Sequence, residues 1–386
     1  MTYPSAEEMT VTPLEYMRAQ QKSMLRVLKE MVALESPTSE KKAVDACLDY
    51  YLGHMANVGA DILRFPQREI GDLCLIGYPG LSNLAVKPIL ILGHTDTVWP
   101  IGRLKDMPWR PVGSKVFGPG VLDMKAGLVM ALFALKALRN LELQPRRPLV
   151  LFINSAEETG HPAATRLIEQ LAGRSACVLC LEPANPGGAL KVRRKGRLVV
   201  NLRAKGKAAH AGTPQNGVNA IEELLRQLAA LRKLRTAGTT LNIGLISGGL
   251  RANVVPASAE AVLDFRFWSK KDEGRILAHL KAMTPAMAGA KPSYSVESET
   301  PPMERSGFSR QLFAKAARIA RGLGIELKAG KTGGGSDASL AANLGLPTLD
   351  GLGPDGNGIH AEHEHILLPS FVERAALLTA LLAGLD

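Results

Sequence analysis

The run LILGHTDTVW places His94 and Asp96 two residues apart, just past Gly93 at the end of the aliphatic residues 89–92. An imidazole beside a carboxylate is suited to metal ligation. Side chains two apart on an extended segment point the same way, so the acid can accept a hydrogen bond from one ring nitrogen and leave the other lone pair for a cation. His-x-Asp is also common in ordinary loops, so its meaning depends on what else the chain brings beside it. Asp123, in FGPGVLDMKAGL, precedes a long apolar run and reads equally as a helix-capping aspartate or as a ligand. Glu157 and Glu158 are neighbours in SAEETG, and Glu182 follows another apolar run in LEPA. Adjacent glutamates raise each other's pKa, a cost that a cation beside them removes. Near the end, His360, His363 and His365 compete within GIHAEHEH.

Nitrogen and carboxylate donors without cysteine suit a hydrolytic zinc site, with cobalt or manganese as substitutes. Charge bookkeeping points to two ions. Asp123, Glu158 and Glu182 with a bridging hydroxide balance a pair of divalent cations, and Asp123 is the natural shared carboxylate. Such a pair acidifies the water between the ions and polarises a substrate carbonyl. Cys177 and Cys180 lie in an extended apolar run that turns them to opposite faces, so they read as core and not as half a metal site.

These side chains meet only if the intervening elements deliver them to one edge. Residues 89–92, 148–154 and 176–181 read as buried strands, each running into one of the candidate groups. The carboxyl ends of strands in open α/β sheets are where ligand sites form. Helical spacing recurs over residues 16–32, 42–58, 125–139, 163–171, 310–323 and 369–382, with strand-like pieces at 60–65, 72–76 and 346–349. Between these lie an extended stretch at 190–207, a helix at 218–234, strands at 240–246 and 257–267, a helix at 272–287 and a strand at 292–297. That β-α-β-β-α-β order is the ferredoxin-like unit. The expected architecture is α/β. A discontinuous catalytic domain (1–189 and 300–386) has a mixed sheet flanked by helices, and a ferredoxin-like domain (190–299) is inserted into it. At 386 residues the chain exceeds the size at which single cores stop growing.

The net charge of +11 comes from scattered basic residues with few aromatics among them, which argues against a nucleic-acid partner. No apolar run approaches the ~18 residues of a membrane span. With four cysteines and an N-terminus lacking an apolar core, the expectation is a cytoplasmic protein that neither spans nor binds a membrane. A dinucleotide site is disfavoured because Asp123 stands where the third glycine of the only near match belongs, and no G-x-S-x-G elbow marks a serine hydrolase.

As a set, GHTDTV, GPGVLDMKAG, SAEETG, LEPA, GGGSDAS and GIHAEHE resemble the M20 family of metallopeptidases, the glutamate carboxypeptidase and acetylornithine deacetylase group, over essentially the whole chain. The resemblance implies a zinc-aminopeptidase-like catalytic domain holding two Zn2+ per subunit, with Co2+ or Mn2+ possible, and an inserted domain serving as lid and dimerisation surface. It implies His94, Asp123, Glu158, Glu182 and His360 as ligands, with Asp123 bridging and a cis peptide at Asp123–Met124. Asp96 would orient His94, and Glu157 would be the general base. His210, in GKAAHAG, would reach a substrate oxyanion, in dimeric members from the neighbouring subunit. Arg266 and Asn253 are candidates for gripping a terminal carboxylate, and the turn containing Gly334 and Gly335 could offer it backbone N–H groups. The implied activity is hydrolysis of an amide or peptide bond next to a free carboxylate, releasing a C-terminal amino acid from a small substrate through the metal-bridging hydroxide. N-acyl-amino-acid deacylation and an inactive dimeric binding protein on the same scaffold are the alternatives. Glu297 and Glu299, where basic residues would suit a glutamate substrate, weigh against glutamate specificity.

Overall fold

A computed structural model describes residues 11–81 and 86–386. The strand Ile89–His94 lies within a six-stranded sheet, parallel to Leu149–Asn154 on one side and Cys177–Cys180 on the other. All three are buried along their length, as continuous aliphatic runs require. Leu73–Tyr78 and Asp61–Phe65 extend the sheet antiparallel beyond Leu149–Asn154. Thr348–Leu349 closes the other side in parallel. The sheet is therefore mixed, as expected.

Helices Pro13–Ala33, Ala126–Asn140 and Leu368–Gly384 share the main core with these strands. Pro13–Ala33 opens with a capping box, in which Thr12 and Glu15 satisfy each other's free donors. Ala126–Asn140 is apolar all round and buried over most of its length, so its position is set by packing rather than by one amphipathic face. Gly127 is required there: a Cβ would stand 2.4 Å from the carbonyl oxygen of Leu181, so the helix could not lie this close to the end of the neighbouring strand. Among the described residues no helix is long and apolar enough to cross a membrane. Cys47, Cys74, Cys177 and Cys180 are all buried, and none is disulfide-bonded.

The chain divides into two compact units, the larger comprising Met1–Val192, Arg305–Lys331 and Leu340–Asp386 and the smaller Arg193–Glu304 with Thr332–Ser339. The smaller unit follows the order β-α-β-β-α-β. Its antiparallel sheet runs Thr240–Gly248, Ser258–Phe267, Gly196–Lys205, Lys291–Thr300. Leu198, Val200 and Leu202 meet Leu263, Phe265 and Phe267 in its core with helices Ala220–Arg232 and Lys270–Lys281. Asn219 and Ser269 cap those helices with side-chain oxygens.

Two boundaries differ from the sequence expectation. The extended stretch 190–207 is two strands: Leu190–Arg194 pairs with Ala329–Thr332, and Gly196–Lys205 enters the four-stranded sheet. The helix expected over 272–287 stops at Lys281. Pro285 disfavours helical geometry at Thr284, and the next two N–H groups, of Ala286 and Met287, donate instead to the buried Glu223 carboxylate at 3.0 and 2.8 Å.

In the larger unit Asp72, just before strand Leu73–Tyr78, ties strand Asp61–Phe65 to helix Lys41–Ala56, accepting from Lys41 Nζ at 2.5 Å and Arg64 Nε at 2.7 Å. Burial alone would raise its pKa, but Lys41, the Gln67 amide and Arg64 together hold it below the ordinary 3.8. A depressed folded-state pKa stabilises above the unfolded value and is lost as pH falls through the folded one. Asp72→Asn is therefore expected to lower the Tm at pH 7, with the gap to wild type closing below about pH 3.8. Thermal melts across that range test this, and a gap that persisted at the acid end would count against it.

Candidate metal centre

The strand Ile89–His94 ends at the sheet's carboxyl edge and leaves His94 buried, 1% exposed. Its Nε2 lies 3.3 Å from Asp123 Oδ1 and 3.5 Å from Glu182 Oε1. On the other side of Asp123, Oδ2 lies 3.3 Å from His360 Nε2, which is also 3.2 Å from Glu158. One carboxylate thus faces two histidines, and each histidine has its own glutamate. Of the three late histidines only His360 joins this cluster. His363 is exposed, and His365 sits in a strand paired with Phe117, its Nδ1 2.8 Å from the His363 carbonyl.

Burial alone would lower the pKa of His94, but the carboxylates of Asp123, Asp96 and Glu182 hold it well above its ordinary value. His360 is pushed up to about 10, chiefly by Asp123 and then by Glu158. Burial would raise Asp123, yet His360 and His94 hold it far below the usual carboxylate range. Burial raises Glu158. This electrostatic pattern is that of a cluster short of positive charge. Among the described residues His94 Nε2 and Asp123 Oδ1, both buried, have no hydrogen-bond partner. Buried orphans facing one another across an acid-rich pocket fit divalent cations. Donor atoms of His94, Asp123 and Glu158, and of His94, Glu157 and Glu182, lie within 4.8 Å of one another.

Asp123 is not a helix cap. It lies within the turn Val121–Lys125, with non-helical φ and ψ of −115° and 93°, and the following helix starts without a side-chain cap. Its peptide bond to Met124 is cis, as the family resemblance implied. Asp96 also differs in detail from the alternation argument. The strand ends at His94, so the period of two lapses, and His94 Nδ1 is nearer the Asp96 backbone carbonyl (3.0 Å) than its carboxylate (3.4 Å). The carboxylate accepts instead from the Thr38 hydroxyl at 2.7 Å and from the N–H groups of Glu157 and Glu158 at 3.2 Å. It orders the strand end that carries both glutamates. Glu157 is half-buried, its carboxylate on the His94–Glu182 side, whereas Glu158 faces His360.

In the smaller unit, His210 and Asn253 are exposed and brought together. His210 bridges to Val254, and the Ala211 N–H donates to the Asn253 carbonyl at 3.0 Å. The Arg266 guanidinium is held by Asp264, Nε at 2.7 Å, and reaches the Gly333 carbonyl at 3.5 Å. The carbonyls of Gly334 and Gly335 accept from Arg194 at 3.2 and 2.7 Å. Arg194, 2% exposed, was not singled out from the sequence, nor were Thr38, Lys191 (3.8 Å from Glu182) and Glu364. For Glu364 a signal existed: it stands four residues after His360 in a run read only for its histidines.

A mixed α/β sheet with this donor cluster at its carboxyl edge defines a candidate metal-dependent hydrolase. The chain belongs to Peptidase family M20/M25/M40, whose family model matches residues 90–384. It is an M20-type peptidase or amidohydrolase. It is 28% identical over 373 residues to carboxypeptidase G2 of Pseudomonas sp. strain RS-16, covering 94% of this chain and 88% of the relative. Succinyl-diaminopimelate desuccinylase 2 of Shewanella loihica is 26% identical over 384 residues, covering 93% and 99%. The aminopeptidase PepT structure from Bacillus cereus superposes with a TM-score of 0.78 at 22% identity, covering 94% and 98%, and so shares the fold.

Asp96→Asn would turn one acceptor oxygen into an NH2 group facing a donor and loosen the segment carrying both glutamates. Changes to groups that support metal ligands cost roughly 10–100-fold in affinity. A zinc titration against a competing chelator should show a loss of that order, and unchanged affinity would remove Asp96 from this role.

Proposed function

We propose that this chain is a co-catalytic dizinc hydrolase that cleaves an amide or peptide bond next to a free carboxylate on a small substrate. The carrying observation is the shared Asp123 carboxylate, one oxygen toward His94 and the other toward His360. His94 and Glu182 would hold one ion and His360 and Glu158 the other, with Asp123 common to both. Zinc is favoured over softer or harder metals by the nitrogen-plus-carboxylate donor set, and Co2+ or Mn2+ are workable replacements. When bound, such a pair polarises a carbonyl and makes water a nucleophile near neutral pH.

The chain's own residues supply the proton traffic. Glu157 and Glu158 leave the same strand end in different directions, so one can ligate while the other stays with the reacting water. Glu157, on the His94–Glu182 side, is proposed to take the proton and deliver it to the leaving nitrogen. The similarity to carboxypeptidase G2 supports release of a C-terminal amino acid. The similarity to a succinyl-diaminopimelate desuccinylase favours N-acyl-amino-acid deacylation as the second reading. His210, Asn253 and Arg266 remain the proposed substrate-contacting residues.

We infer a homodimer formed through the smaller unit. Among the described residues its edge strand Thr240–Gly248 has one side unpaired, and it carries Leu245 and Ile246 at 68% and 56% exposure, a surface that a second copy would cover. A cytoplasmic setting is supported by four cysteines that form no disulfide.

Glu157→Ala should retain both ions by elemental analysis and lose nearly all turnover. Loss of an ion instead would make Glu157 a ligand, and substantial turnover would exclude it as the base. A panel of dipeptide and folyl-type amides against N-acyl amino acids, run with zinc, cobalt and manganese, separates the two substrate classes. Failure of chelators to abolish hydrolysis would sink the metal-dependent reading. Sedimentation should give a dimer that Leu245→Arg converts to monomer; a wild-type monomer would refute the assembly.

A further inference from the structure

We propose that Glu364 is the positioning residue that holds Asp123 between His94 and His360, and so sets how tightly the second cation binds. The inference rests on the two-cation reading above. It comes from the way the loop around Asp123 satisfies its backbone. Residues 120–124 have no regular ladder: Gly120 is left-handed at φ 68°, and Asp123 and Met124 have non-helical angles. Buried N–H groups in such a segment need acceptors from elsewhere. Glu364, 1% exposed, supplies them. Its Oε1 accepts from the N–H of Leu122 at 2.8 Å and of Asp123 at 3.1 Å, and its Oε2 accepts from the N–H of Gly120 at 2.9 Å and from Trp99 Nε1 at 2.7 Å.

Two further observations make this more than local support. Glu364 comes from the loop that carries His360, and that loop is itself constrained. His360 has a left-handed φ of 58°, and at Gly358 a Cβ would lie 2.7 Å from the Glu364 nitrogen. Backbone bonds from Gly118 N–H to the Glu364 carbonyl, and the pairing of His365 with Phe117, join the same two loops. One carboxylate therefore ties the shared aspartate to the loop of the histidine on its far side. The opposite flank of the turn is fastened separately by Lys125, whose buried Nζ donates to the carbonyls of Met31 and Leu34 at 3.0 and 2.8 Å. With Lys125 intact, losing Glu364 should free the Asp123 side of the turn without unfolding the sheet.

Glu364→Gln keeps the side-chain shape but turns an acceptor into a donor facing backbone N–H groups. The test compares wild type, Glu364→Gln and Glu364→Asp by zinc titration calorimetry with elemental analysis, and by hydrogen exchange of metal-free protein over residues 118–125. Wild type should bind two ions. Glu364→Gln should bind one ion with near wild-type affinity and the second roughly 10–100-fold more weakly. Exchange should quicken at residues 118–125 and stay unchanged in strand Leu149–Asn154, and Glu364→Asp should recover part of both effects. A variant that binds both ions as wild type does, or that loses exchange protection throughout, overturns the positioning role. A wild type that binds fewer than two ions overturns the two-cation reading itself, whatever the variants show.

Discussion

Burying several carboxylates against two imidazoles is the constraint on which the rest of the larger unit depends. Asp123, Glu158 and Glu182 gather around His94 and His360, and among the described residues Asp123 Oδ1 and His94 Nε2 find no hydrogen-bond partner. Unpaired buried charge costs several kcal/mol per group in a protein interior. A fold can carry such a cluster only if its supports are rigid enough to prevent the acids from turning outward to water. Here the supports are largely backbone N–H groups and buried side chains. Asp96 receives three donors and Glu364 four.

The parallel strands explain how so many polar groups reach one place. Ile89–His94, Leu149–Asn154 and Cys177–Cys180 run side by side in the same direction, so the residues that follow them emerge along a single edge. Apolar side chains lock the strands from both faces, which fixes where each chain leaves the sheet. The close helix contact permitted by Gly127 brings the turn bearing Asp123 to the same edge. Precision at the cluster is thus inherited from dense packing behind it.

Much of this was legible in the residue order. Continuous aliphatic runs mark the buried strands, and the β-α-β-β-α-β pattern of the smaller unit reads directly from alternation and helical spacing. The misreadings have local causes. Asp123 resembles a cap because it precedes a helix, but Met124 and Lys125 intervene before that helix begins at Ala126. The helix after Ser269 was read too long because helical periodicity continues past Lys281, and the sequence does not reveal that Glu223 takes up the next N–H groups. The alternation argument for His94 and Asp96 assumed that a strand continues where it stops.

By itself the sequence determined the donor set, the order in which it is delivered and the two kinds of sheet, because these follow from residue type and from periodicities of two and 3.6. It also named the family through motifs that are contiguous in the chain. Only the tertiary structure decided that Asp123 divides its two oxygens between His94 and His360, that His360 rather than its neighbours enters the cluster, and that Glu364 braces the turn. Each of these depends on the meeting of loops more than 200 residues apart, and no local pattern encodes which partner across that distance supplies the missing hydrogen bond.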